Sequence, residues 1–152
     1  MKKILVILTL LVLTTGCAAP ETGTMTCTMS SYPAEGITLK STYEADYKNE
    51  IVTYLKTVEQ VIVEDESTLD QFEESIKELY QNYDGIDYYN NEITRKDNVL
   101  TSTTKINYQK VDTDKLIEAD NNNANMIKDG KVNIDDLKEL YQNNGCNCKK
   151  RK

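Results

Sequence analysis

The 152-residue chain has no His and no Trp, and it has only one Phe and two Pro. Without an imidazole there can be no Ser-His-Asp triad, no His-ligated zinc and no His pH switch. Positive charge is also scarce, with 18 Lys plus Arg against 25 Asp plus Glu and a net charge of −7. That balance argues against nucleic acid as a partner, which needs a basic footprint. The chain carries no glycine-rich phosphate loop and no nucleophile elbow. Its apolar run from Ile4 to Leu13 is too short to cross a bilayer, which takes about 20 residues. What remains is ten Tyr, four Cys and a hydrophobic fraction of 39% that falls in patterned blocks, unlike a disordered chain.

The strongest signal is at the N-terminus. Lys2 and Lys3 precede the apolar run, and Leu13-Thr14-Thr15-Gly16-Cys17 follows it. This is the layout of a secretory signal, with a Cys directly after a small residue, as in a lipobox. The expectation is a lipoprotein signal peptide over residues 1–16 and a diacylglycerol on Cys17. Residues 17–23 form a lipidated tether, and one domain spans 24–150. Several buried acyl chains make such an anchor effectively permanent. The protein is then bacterial, exported and held by its lipid to the outer face of the cytoplasmic membrane, or to an outer membrane where there is one. Loss of residues 1–16 removes two lysines and leaves the mature chain more acidic still, so the tether and not electrostatics holds it to an anionic surface. Lys149-Lys150-Arg151-Lys152 reads as a basic, solvated tail, with residues 151–152 at its end.

Lipidation uses Cys17 and leaves Cys27, Cys146 and Cys148. Thiols outside the cytoplasm tend to pair. Cys146 and Cys148 are too close in sequence to pair without strain, so Cys27 should bond to one of the two, tying the first strand to the end of the chain. Cys-Asn-Cys lacks the two-residue spacing of a thioredoxin-like motif.

Met25, Cys27 and Met29 alternate with Thr24, Thr26, Thr28 and Ser30, the period-2 pattern of a half-buried strand. Residues 31–36 carry turn chemistry. Ile37, Leu39, Tyr43 and Ala45 then share one face of a second strand. After a turn at Asp46–Asn49, Glu50 to Val63 is a long β-branched run. These blocks predict an antiparallel meander with one wet face. Ser67 is a candidate N-cap for a helix over 68–82, with Leu69, Phe72, Ile76, Leu79, Tyr80 and Tyr83 at helical spacing. Ile86–Thr94 and Val99–Gln109 predict two further strands around an Asp97-Asn98 turn. Thr113–Ile117 suggests one helical turn, and Asp120–Asp129 is Asn-rich and loop-like. A last helix is capped by Asn133, buries Ile134, Leu137, Leu140 and Tyr141, and stops at Gly145. Lys77-Glu78-Leu79-Tyr80-Gln81-Asn82 recurs as Lys138 to Asn143, which reads as two similar helices on one sheet. The fold class is α+β: two layers, an antiparallel sheet of about five strands and two main helices packed on one face.

Few constellations point to chemistry. Asp129, Asn133 and Asp136 stand at calcium-loop spacing around Gly130, but Ile127 occupies a ligand position, so they are weak metal candidates and no cofactor is implied. Glu44, Asp46, Glu64, Asp65, Glu66, Asp84 and Asp87 are plentiful carboxylates. A glycosidase would need two of them across one cleft, and most sit at turns or helix starts. Tyr43, Tyr54, Tyr88, Tyr89 and Tyr108 fall on predicted strands, either lining a sugar- or peptide-binding face or serving as the core aromatics in place of Phe and Trp.

The order of parts resembles the YehR-like bacterial lipoproteins, a family of unknown function. The resemblance runs from about Thr24 to Lys150. It rests on the lipobox, the opening strand Thr26-Cys27-Thr28-Met29, and the Ile37 to Val63 hairpin. It also includes the helix end Tyr80-Gln81-Asn82-Tyr83-Asp84-Gly85-Ile86 and the Leu140 to Lys149 stretch with a Gly followed by a Cys. It implies a small two-layer α+β fold with helices on one face of an antiparallel sheet. It also implies Cys27–Cys148 as the disulfide, with Cys146 standing where an aromatic is usual, and it carries no catalytic residues. The functional expectation is a membrane-anchored, non-enzymatic binding or accessory protein of the cell envelope, with a protein or envelope polymer as partner. A carboxylate-dependent glycan hydrolase and a calcium-dependent module are the alternatives.

Overall fold

The computed structural model describes residues 21–151. Cys17 and the segment expected to be a signal peptide lie outside the described residues. The chain opens as a meander of three long strands, β1 (Thr22–Ala34), β2 (Ile37–Lys48) and β3 (Ile51–Val63). Their alternation puts Met25 opposite Ala45 and Ala45 opposite Leu55, with Cys27, Tyr43 and Thr57 in the next inward row. β1 runs through part of the segment expected to turn, as far as Ala34. The turn expected at Asp46–Asn49 sits at Asn49–Glu50, because Tyr47 is buried in the core and keeps β2 extended to Lys48. Asn49 and Glu50 have φ of 49° and 66°, the left-handed pair whose twist suits a two-residue hairpin.

Helix α1 (Glu66–Gln81) follows. Its cap is Asp65 and not Ser67: Asp65 Oδ2 accepts from the Thr68 amide and the Thr68 hydroxyl, both at 2.7 Å. Those bonds hold the Asp65 carboxyl below its usual range. Leu69, Phe72 and Ile76 pack inward, whereas Leu79 is 58% exposed, since Ile76 is followed on the same stripe by Tyr80, four residues on. Successive turns from Tyr83 to Tyr89, with Gly85 at φ +79°, lead to β4 (Tyr89–Lys96) and its hairpin partner β5 (Val99–Asn107). Ile86, expected to open this strand, is instead buried in the turn before it.

Helix α2 (Thr113–Ala119) is longer than one turn, and the Asn-rich segment forms a 3-10 turn at Asn121–Asn125. A two-stranded ribbon, β6 (Ile127–Lys128) and β7 (Lys131–Val132), precedes α3 (Ile134–Asn143). Residues 147–151 are strand β8 (Asn147–Arg151), not a solvated tail. β8 pairs with β1, placing Cys148 opposite Cys27 and Arg151 opposite Thr24. Lys150 bonds Asp135 at 2.5 Å and lies 5.4 Å over the Tyr47 ring.

The main sheet therefore has six strands, one more than expected, in the order β4-β5-β3-β2-β1-β8, with every neighbour antiparallel. The main helices cover one face, the two-layer α+β arrangement expected from the sequence. Two apolar clusters lie between the layers. One joins Met25, Ala45, Leu55 and Ile106 to Leu116, Ile134 and Leu137 of α2 and α3; the other joins Val61, Val63 and Leu100 to Leu69 of α1. A Leu-to-Ala change at Leu137, fully buried, would cost about 2–5 kcal/mol. Cys27 is bonded to Cys148, and Cys146 is a buried free thiol. Gly23 is required by close approach: a Cβ there would stand 2.5 Å from the Arg151 carbonyl oxygen and from the Tyr47 hydroxyl.

Candidate functional site

Between the two apolar clusters, the inward face of the sheet turns polar. Ser41, Thr57 and Glu59 occupy inward positions on β2 and β3, and Asn91, Ser102 and Thr104 occupy them on β4 and β5. Ser41, Ser102 and Thr104 are buried. Burying such groups is costly unless they are bonded to one another, and here they are. Asn91 Nδ2 donates to Ser102 Oγ at 3.0 Å and to Thr104 Oγ1 at 2.9 Å. Glu59 accepts from the Tyr43 hydroxyl at 3.4 Å and the Tyr80 hydroxyl at 3.3 Å, one on each carboxylate oxygen.

This seam opens outward into a cleft of about 890 Å³ between the second half of α1 and strand β4. Tyr80, Tyr83, Tyr89 and Asn91 form its inner wall, and Glu74, Glu78 and Asp84 its rim. Tyr83 and Tyr89 stack with ring centroids 4.6 Å apart, and Tyr80 lies 6.2 Å from Tyr83. Asn123 Nδ2 donates to the Tyr83 hydroxyl at 3.0 Å and to the Leu116 carbonyl at 2.7 Å, so the Asn-rich 3-10 turn fixes this ring. Burial pushes the Tyr80, Tyr83 and Tyr89 phenols upward. They are thus neutral hydroxyls at physiological pH. Behind them, Tyr43 stacks on Tyr141 at 4.2 Å, and burial raises Tyr43 to about 12.

At the α1 start the acidic flank is already engaged. Arg95 from β4 reaches Asp70 at 2.5 Å, Glu66 at 3.4 Å and Glu73 at 3.5 Å. Lys77 bonds Glu73 at 2.6 Å, which holds that carboxyl below its usual range. The far end, at Glu74, Glu78 and Asp84, is exposed. The arrangement offers an aromatic wall, amide and hydroxyl groups and an anionic rim, a binding chemistry for an extended cationic or polar ligand.

Of the residues singled out from sequence, Tyr89 and Asp84 reach this cleft. Tyr43 and Tyr108 pack against the core behind it. Tyr54 points to the opposite face of the sheet by its register. Tyr88 is 55% exposed and has φ of 64°. Glu44 pairs with Lys56 at 3.6 Å, Asp46 accepts from the Thr24 hydroxyl, and Asp65 and Glu66 serve α1. Glu44 and Asp46 border one pocket from the same strand, and Glu64 and Glu66 border another from the entry to α1, so neither pair is set on opposite walls of a cleft. The calcium-spaced residues do not converge either. Asn133 Oδ1 accepts from the amides of Asp135 and Asp136 as the α3 cap, Asp136 bonds Lys128 at 2.9 Å, and Asp129 makes the β6–β7 turn at φ 51°. Among the described residues, no three acidic or cysteine side chains cluster as a metal site would need.

Sequence reasoning did not single out Tyr80 and Tyr83 as wall residues, nor Glu59 and Asn91 as the seam. A signal existed: both Glu59 and Asn91 fall on the inward phase of strands whose other inward residues include Leu55, Val61 and Ile93.

Residues 19–152 match the family described as Domain of unknown function (DUF8824). No curated protein matches the chain. Among solved structures, an NMR structure of a protein from Streptococcus pneumoniae TIGR4 is 17% identical, covers 98% of this chain and 96% of its own, and superposes with a TM-score of 0.53. The NMR structure of the Escherichia coli YehR protein is 15% identical, with 86% and 91% covered and a TM-score of 0.55. At such identities the likeness is one of fold. The chain belongs to the Domain of unknown function (DUF8824) family, and it shares its two-layer fold with YehR.

Proposed function

We propose that this protein is an exported, lipid-anchored binding or accessory protein of the bacterial cell envelope, without enzymatic activity of its own. The observation that carries this reading is Leu13-Thr14-Thr15-Gly16-Cys17 behind a short apolar run. The Cys27–Cys148 bond supports it, because disulfides persist in oxidising compartments and are rare in the cytosol. The cleft supports a binding role in particular. Its rim carboxylates are exposed on a helix flank, whereas a glycoside hydrolase needs an acid in an apolar pocket facing a second carboxylate. The sheet order puts β4, which borders the cleft, four strands from β1, where the tether joins. At the usual strand spacing that is about 19 Å, which separates the strand the tether leads into from the cleft.

Metabolic labelling with a fatty acid tests the anchor. Wild-type protein should take the label into the membrane fraction, and Cys17→Ala should lose it. Label that persists in Cys17→Ala overturns the lipoprotein reading. Wall-glycan turnover that is abolished by Glu78→Gln would overturn the non-enzymatic one.

A further inference from the structure

The sheet has two edge strands among the described residues, β4 and the short β8, and β4 is the one that borders the cleft. β4 pairs only with β5, and the Asn107 amide donates to the Tyr88 carbonyl at 3.0 Å. Antiparallel ladders alternate between bonded and non-bonded pairs. From that pair onward Asn90, Glu92 and Thr94 turn their backbone groups to β5, and Asn91 and Ile93 turn theirs outward, toward the cleft that both residues line. Unpaired backbone donors and acceptors in a row are a template for an added strand. β4 has no Pro to block one. Its cations, Arg95 and Lys96, stand at its far end, and Arg95 is held by the acids of α1.

The facing wall sets the charge of what can lie there. Glu74, Glu78 and Asp84 line the cleft, and its one lining cation, Lys77, is bonded to Glu73. Tyr80, Tyr83 and Tyr89 add aromatic rings, which attract ammonium and guanidinium groups. We propose that the cleft takes an extended Lys- or Arg-rich segment of a partner protein as a strand added to β4. Every second side chain of that segment faces the α1 wall, so basic residues at alternate positions meet Glu74 and Glu78 while the backbone bonds Asn91 and Ile93. This rests on the cleft being the protein's binding surface, and it names the class of partner.

The test is a titration of the full chain, purified from membranes in detergent, with a labelled short peptide alternating Lys and Thr. Saturable binding is expected, with slowed hydrogen exchange at the Asn91 and Ile93 amides. Glu74→Lys with Glu78→Lys, both at exposed positions, should weaken binding about tenfold. A peptide of equal charge interrupted by Pro should fail. Equal binding of the Pro-interrupted peptide, or binding without slowed exchange, reduces the site to bare charge attraction and overturns the proposal. Absence of binding overturns it too, as does self-association of the chain through β4 in the absence of peptide. Cys17→Ala should bind the peptide unchanged, so a failure of the anchor reading and a failure of this one are told apart.

Discussion

Tyrosine does in this protein what Phe and Trp do in most cores, and its hydroxyl has a consequence they would not have. Tyr43, Tyr89, Tyr108 and Tyr141 all pack against the larger apolar cluster. Burial disfavours the phenolate, and it raises Tyr43 and Tyr108 from 10.0 to about 12 and lifts Tyr89 and Tyr141 as well. A folded-state pKa above the unfolded one gives stability that is fully present below the unfolded value and is lost as pH rises through the folded one. The contribution of these tyrosines should therefore hold constant up to about pH 10 and be lost steeply toward pH 12. Phenolate absorbance and far-ultraviolet circular dichroism, followed together, check this. The buried tyrosines should ionise with the loss of secondary structure, and Tyr108→Phe should flatten the alkaline slope. Phenolates that form fully while the dichroism stays native would refute it.

At the scale of elements, the meander was legible because alternation and burial agree from Met25 to Val63. The α3 cap was legible for a similar reason. Asn133 is the one good capping residue directly ahead of an apolar stripe, and its side chain bonds two amides of the first turn. Asn133→Ala should lower unfolding free energy by about 1 kcal/mol. Denaturant titration should give the same loss with and without a calcium chelator; a loss seen only with calcium present would restore the loop reading of Asp129, Asn133 and Asp136. α1 was harder, because Asp65 and Ser67 compete within three residues and only geometry chooses between them. β8 was illegible: Asn, Cys, Lys and Arg have little strand preference of their own. It forms because β1 offers an open ladder and Cys27 a covalent partner, a tertiary effect that outweighs local propensity. Half the candidate site was hidden for a different reason. The Tyr80 ring read correctly as part of an apolar helix face, but Tyr83 falls in the turn just after α1, and which neighbours the two rings meet depends on that turn and on a β4 that starts at Tyr89 and not at Ile86.

For the whole molecule, the disulfide closes a sequence separation of 121 residues. Closing a loop of that length contributes about 2–4 kcal/mol in typical proteins. Reduction should lower the unfolding free energy by that order, read from the shift of the denaturant midpoint, while leaving the meander folded under mild conditions. Cys146 supplies an internal check. It is buried, and burial pushes its thiol pKa up, so a thiol reagent should leave it unmodified in the native oxidised protein and label it only in denaturant. Rapid native labelling would mean that β8 is undocked. The same bond also sets how the protein bears load. Thr24 lies opposite Arg151 and Cys27 opposite Cys148, so the segment leading into β1 enters the sheet beside the end of β8. A tug on that segment can peel β1 from β8 only as far as Thr26. Beyond that point the sulfur–sulfur link passes the force into β8, and the strands that border the cleft stay outside its path. Load applied at the start of β1 would thus reach a covalent cross-link after only a few residues.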